Sequence, residues 1–121
     1  MSAANLNFDG RQVQACEQGA TFSFVWSWED SEGVKVDLST FAGIRMQVRK
    51  NYGGTLIVEL TTANGRITID SNEDVTLQLT ATETTTLPPG NYVYDLEVEN
   101  VDGTVYRLIE GQFKITPEVT V

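Results

Sequence analysis

The chain has 121 residues, enough to bury one hydrophobic core and too few for two. Its formal net charge of −9, from 17 acidic and 8 basic residues, opposes phosphate backbones and anionic lipid, so nucleic acid and membrane surfaces are excluded as expected partners. Histidine is absent, which removes the commonest general base and transition-metal ligand, and the single cysteine, Cys16, allows no intrachain disulfide. The acidic surplus serves solubility; the alternative is an acidic face that docks on a basic partner.

From the N-terminus, Met1-Ser2-Ala3-Ala4-Asn5 lacks the basic start and apolar run of a signal peptide, and no later segment approaches the length of a membrane span. Folding in a reducing cytoplasm is the expectation. Residues 1–11 read as an N-terminal arm, and 12–121 as one domain with no internal boundary or repeat. A first strand is expected over 12–16, with Cys16 as a small buried hydrophobe.

In Thr21-Phe22-Ser23-Phe24-Val25-Trp26-Ser27-Trp28 the four large aromatics fall on every second residue, so a strand places them on one face, the core face. Ile44-Arg45-Met46-Gln47-Val48-Arg49 and Val75-Thr76-Leu77-Gln78-Leu79-Thr80 repeat the alternation. Further strands are expected over 56–60, 66–69, 92–99, 105–109 and 112–115. Gly53-Gly54 marks one turn, while Asn64-Gly65 and Asp102-Gly103 have the form of tight hairpins.

Thr80, with Glu83 three residues on, has the form of a capping box and predicts one short helical turn near 80–86. Leu87-Pro88-Pro89-Gly90 ends it. The following Asn91-Tyr92-Val93-Tyr94 has the shape of the E–F corner of immunoglobulin-like domains, with Tyr92 turning its hydroxyl back onto the backbone and Tyr94 standing where disulfide-bearing domains carry a cysteine. The expected fold is therefore an all-β, immunoglobulin-like antiparallel β-sandwich of about seven to nine short strands, its core filled by Trp26 or Trp28.

Catalytic, cofactor-binding and metal-binding residues are all expected to be none. Without histidine there is no Ser/His/Asp or Cys/His arrangement, and no phosphate loop or zinc spacing occurs. Asp95, Glu97 and Glu99 line one strand face, where a solvated surface is the simpler reading than paired-carboxylate chemistry. Glu29, Asp30, Glu32 and Asp37 crowd one loop without the spacing of an EF-hand, so a plain acidic loop is favoured over a calcium site. Trp26 and Trp28 could stack a sugar if exposed, with Trp28, beside the acidic loop, the more open of the two. Open sheet edges would let another chain add a strand.

At Glu17-Gln18-Gly19-Ala20-Thr21-Phe22, Val36-Asp37-Leu38-Ser39, Met46-Gln47-Val48-Arg49, Leu87-Pro88-Pro89-Gly90-Asn91-Tyr92-Val93-Tyr94-Asp95-Leu96 and Gly111-Gln112-Phe113-Lys114-Ile115-Thr116-Pro117-Glu118-Val119-Thr120, the sequence resembles a family of small bacteriophage proteins encoded among structural genes. Their outline is an opening Gly-Ala-Thr-Phe strand, a Tyr-Asp-Leu strand and a closing Pro-Glu-Val-Thr. The layout is also similar to the N-terminal β-sandwich of phage baseplate upper proteins, and the resemblance runs from about Gln12 to the C-terminus.

The resemblance implies a non-enzymatic virion component of tail, baseplate, neck or capsid surface, folded in the host cytoplasm before assembly. Its partners would be other virion proteins and copies of itself in a homo-oligomer. No active-site residue is carried over, and the lead-in from Asn5 to Arg11, longer than the family pattern, would be an arm that reaches a neighbouring subunit. A carbohydrate-binding host-recognition module is the alternative function.

Overall fold

The computed structural model describes residues 4–119. Nine strands and one short helix follow in chain order: β1 (Ala4–Asn5), β2 (Cys16–Glu17), β3 (Phe22–Ser27), β4 (Gly43–Arg49), β5 (Leu56–Thr61), β6 (Ile67–Asp70), β7 (Asp74–Leu79), α1 (Ala81–Thr85), β8 (Gly90–Glu99) and β9 (Val105–Thr116). One sheet has the order β1-β9-β8-β4-β5, with β2 also on β9; the other is β3-β7-β6. Apart from β1 and β2, which run parallel to β9, every strand pair is antiparallel. This is the immunoglobulin-like sandwich, with β3-β7-β6 in the places of strands B, E and D, and β5-β4-β8-β9 in those of C′, C, F and G.

Period-2 alternation fixes which side chains face inward. Ile44, Met46 and Val48 of β4, Tyr92, Tyr94, Leu96 and Val98 of β8, and Val75, Leu77 and Leu79 of β7 are all buried between the sheets. The E–F corner forms as expected: the Tyr92 hydroxyl donates to the Pro88 carbonyl at 2.7 Å and lies 3.2 Å from that of Pro89. The capping box is also present, with Glu83 N–H donating to Thr80 Oγ1 and Thr80 N–H to Glu83 Oε1. Thr84, fully buried, ties α1 to the turn before β3, donating to Ala20 O and accepting from Gly19 N–H.

Several expectations are corrected. The stretch 1–11 is not an arm outside the domain in its described part: β1 pairs with β9, Leu6 and Phe8 N–H groups donate to Glu110 and Gln112 carbonyls, and Phe8 is wholly buried. Residues 1–3 lie outside the described residues. The strand expected over 12–16 is reduced to Cys16–Glu17, because Gly10 N–H donates to Val13 O and Val13 N–H to Asn7 O, folding the chain on itself first.

The core centre also differs from expectation. Phe8 takes the place assigned to a tryptophan, meeting Phe22, Phe24, Tyr94 and Phe113 at ring-centroid distances of 5.1 to 5.7 Å, mostly edge to face. Trp26 and Trp28 share the inward face of their segment but lie towards one end of the sandwich, half-buried.

Asn64-Gly65 does not close a hairpin: β5 belongs to one sheet and β6 to the other. A two-residue type I′ turn needs positive φ at both central residues, and only Gly65 has it. Asn64 instead uses its side chain, accepting from the N–H groups of Thr61 and Arg66, and the chain crosses between sheets. The tight turn lies one step later, where Ser71 (φ 53°) and Asn72 (φ 62°) join β6 to β7. The strands expected over 105–109 and 112–115 are one 12-residue strand, β9, with an irregularity in its pairing where Leu96 faces Ile109 and Glu97 faces Arg107. Leu108 is the unpaired extra residue, so Leu108 and Ile109 are buried in succession.

Candidate interaction surface

Each chemical candidate in the sequence has a definite place. Asp95 and Glu97 lie on the outer face of β8, where Arg107 Nε stands 3.4 Å from Asp95 and Arg45 Nε 3.1 Å from Glu97. These are partly exposed cross-strand pairs, each worth under about 1 kcal/mol. Burial, then the neighbouring Glu97 charge, raises the Asp95 carboxyl above the usual aspartate range. Gln47 donates to Glu59 and accepts from Arg49, so this outer face is a lattice of mutually satisfied polar groups.

The acidic loop is a small hairpin rather than a cage. Glu29 and Lys35 form a bridge, Val36 N–H donates to Trp28 O, and Asp30 N–H donates to Val34 O. Asp30 Oδ1 accepts from the N–H groups of Glu32 and Val34, and Asp37 Oδ1 accepts from Ser39 N–H and Oγ. These carboxylates stabilise their own turns. Among the described residues, no three His, Cys, Asp or Glu side chains stand together as metal ligands.

Cys16 is fully buried on β2, and burial, with a smaller contribution from Glu17, pushes its thiol up to about 11. A thiol so protonated is a poor nucleophile. Among the described residues no helix is long and apolar enough to cross a membrane.

The sheet edges are guarded unequally. The β9 edge is covered by β1 and β2. On β5, Asn64 Nδ2 and Arg66 Nη1 donate to the Glu59 carbonyl, and Asn64 Oδ1 accepts from Thr61 N–H, so part of the edge that a strand would add to is occupied.

A shallow groove of about 370 Å³ lies at the Trp26–Trp28 end of β3. Trp26, Trp28, Leu108 and Ala4 supply its apolar lining, and Glu29, Asp30 and Ser31 complete it. Trp28 is held from behind by Phe41 and Tyr106, with ring centroids 5.9 and 6.2 Å away. Alternation in the sequence identifies the tryptophan face, but not Leu108 or Ala4. These arrive through the β9 irregularity and the parallel docking of β1, which leave no periodic signal.

No family model matches the chain, and no curated protein does. Among solved structures it is similar to CopC from Methylosinus trichosporium OB3b, with 17% identity over 88% of each chain and a TM-score of 0.47. It is also similar to extracellular domains 3–5 of Drosophila OTK, with 14% identity over 87% of this chain and 32% of that one, TM-score 0.34. The V domain of amphioxus IgVJ-C2 aligns with 11% identity over 87% of this chain and 99% of its own, TM-score 0.31. The sheet order and the Tyr92 corner, rather than these likenesses, make the fold immunoglobulin-like.

Proposed function

We propose that the protein is a non-enzymatic structural component of a bacteriophage particle, in the tail, baseplate, neck or capsid surface, acting through protein–protein contacts. The phage assignment is supported by the resemblance at Gly19-Ala20-Thr21-Phe22, Tyr94-Asp95-Leu96 and the closing Pro117-Glu118-Val119-Thr120. The structural observation that supports the contact role is the groove lined by Trp26 and Trp28, two half-buried aromatics beside the 29–36 hairpin. The motif residues, by contrast, serve the fold: Tyr92 closes the corner, Tyr94 donates to Leu6 O, and Gly19 meets Thr84. Mass spectrometry of purified particles from the phage that carries the gene tests the assignment. The chain is expected at a stoichiometric level, and its absence from intact particles overturns the reading.

The half-buried pair Trp26 and Trp28 gives a second reading some support, a host-recognition module that stacks sugars. Saturable signal on a glycan array, lost in Trp28→Ala, would favour it.

A further inference from the structure

Resting on that contact reading, we propose that one partner is a second copy of this chain, added strand to strand at the free edge of β3 about a two-fold axis through Val25. Residues of an antiparallel strand turn N–H and C=O to the same side, alternating left and right along the chain. In β3 the Ser23 carbonyl accepts from Gln14 Nε2 outside the sheet, so Ser23, Val25 and Ser27 face the free edge. The other strand agrees: Gln78 N–H donates to Arg66 O on the β6 side, which leaves Val75, Leu77 and Leu79 to bond Trp26, Phe24 and Phe22. The hairpin after β3 does not cover this edge, because it bonds through Trp28 and Asp30, on the side that faces β7. Among the described residues, no backbone bond reaches Val25 or Ser27 from the free side.

The other edges are protected: β1 and β2 cover β9, Asn64 and Arg66 occupy part of β5, and β6 is only four residues long. By contrast Phe22–Ser27 has no charged residue, no proline and no register shift, the devices that blunt an edge. At its centre Val25 is 58% exposed. The residues around it, Ser23-Phe24-Val25-Trp26-Ser27, form a chemical palindrome, and this selects a second copy in antiparallel register as the occupant. Val25 exchanges both backbone bonds with its counterpart, and Ser23 does so with Ser27 of the second copy, the Ser23 carbonyl having a second lone pair beside the Gln14 bond. Phe24, half-buried in the single chain, faces the likewise half-buried Trp26 of the second copy in the closer, non-bonded pair. No carboxylates are opposed: Glu29 meets Thr21, and Asp74 is held by Ser27 and Lys35.

Analytical ultracentrifugation of the full-length protein from micromolar to millimolar concentration tests the pairing. A monomer–dimer equilibrium is expected, and because each copy carries −9, added salt is expected to strengthen it. Val25→Lys places a charge on the axis from an exposed position, and is expected to keep the monomer's melting temperature and weaken dimerisation at least tenfold. Cysteine variants read the register. The two Val25 Cα atoms stand about 5.5 Å apart in a bonded pair, within reach of a disulfide, whereas the two Ser23 Cα atoms are separated by roughly 14 Å. Under copper phenanthroline, Val25→Cys is therefore expected to cross-link at least tenfold faster than Ser23→Cys, an equally exposed control for random collision. Cys16, buried and protonated, does not compete.

A chain that stays monomeric at millimolar concentration overturns the proposal, as does a dimer indifferent to Val25→Lys, or cross-linking of Ser23→Cys as fast as that of Val25→Cys. The two readings fail separately. A β3-linked dimer absent from particles removes the virion assignment and leaves the pairing, and a particle-resident chain that is monomeric by these tests does the reverse.

Discussion

Tyr92 and Cys16 show how burial turns reactive groups into structural ones. The Tyr92 hydroxyl bonds the Pro88 carbonyl across the bend into β8, so Tyr92→Phe is expected to cost about 0.5–1.5 kcal/mol, the net range for an intramolecular hydrogen bond whose acceptor, on exposed Pro88, water can reach. Urea denaturation of the two proteins, with an unchanged m-value, measures it. For Cys16, a thiol pushed up to about 11 inside the core is protonated at neutral pH and out of reach of reagents. Iodoacetamide at pH 7.5 should leave the native protein unlabelled for hours and label it fully in denaturant. Rapid native labelling would show that β2 opens readily.

The elements differ in how plainly the sequence announces them. β3, β4, β7 and β8 are written in strict alternation, and the helical turn in the Thr80–Glu83 box, because local side-chain direction suffices to encode them. The N-terminal strands are not. Phe8 is the single large apolar residue between Asn7 and Asp9, and its place in the core is fixed by parallel hydrogen bonds to β9, a partner roughly a hundred residues away. Gly111 makes room for that docking, since a Cβ there would collide with the Leu6 carbonyl.

The segment's weight in the core gives a direct test. Phe8→Ala removes a ring that touches four others, and such truncations cost about 3–5 kcal/mol, a large share of a small domain's stability. A Phe8→Ala protein with wild-type melting temperature would refute the placement of this segment. The crossing at 62–66 was equally hidden, because Asn-Gly reads as a hairpin until one sees that Asn64 spends its side chain on Thr61 and Arg66. The tryptophan half of the groove was legible and the rest was not, for Ala4 and Leu108 reach it only through pairing with distant strands.

For the molecule as a whole, the acidic excess predicts the pH response. Bonds to the ionised form hold several carboxyls below their usual range: Ser27 and then Lys35 act on Asp74, the Thr80 backbone and then Arg66 on Glu83, Ser39 on Asp37, and backbone N–H groups on Asp9 and Asp102. Each binds its proton less tightly folded than unfolded. Its contribution is present above the unfolded pKa and is lost as pH falls through the lowered folded value. Asp95, raised by burial, has the opposite sign: its ionised form opposes folding, and protonation relieves it. Five groups against one predict a melting temperature that is level between about pH 6 and 8 and falls below about pH 4. A melting temperature that rises on acidification through that range would reverse the argument.

At the same scale stands the claim that this sandwich works by contact, with its core residues committed to the fold and its open groove to a neighbour. The most direct measurement is a cryo-EM map of the phage particle at side-chain resolution. The account predicts density for the two-sheet body, with the Trp26 and Trp28 end in contact with an adjoining protein. A map whose densities are all accounted for by other chains would contradict it.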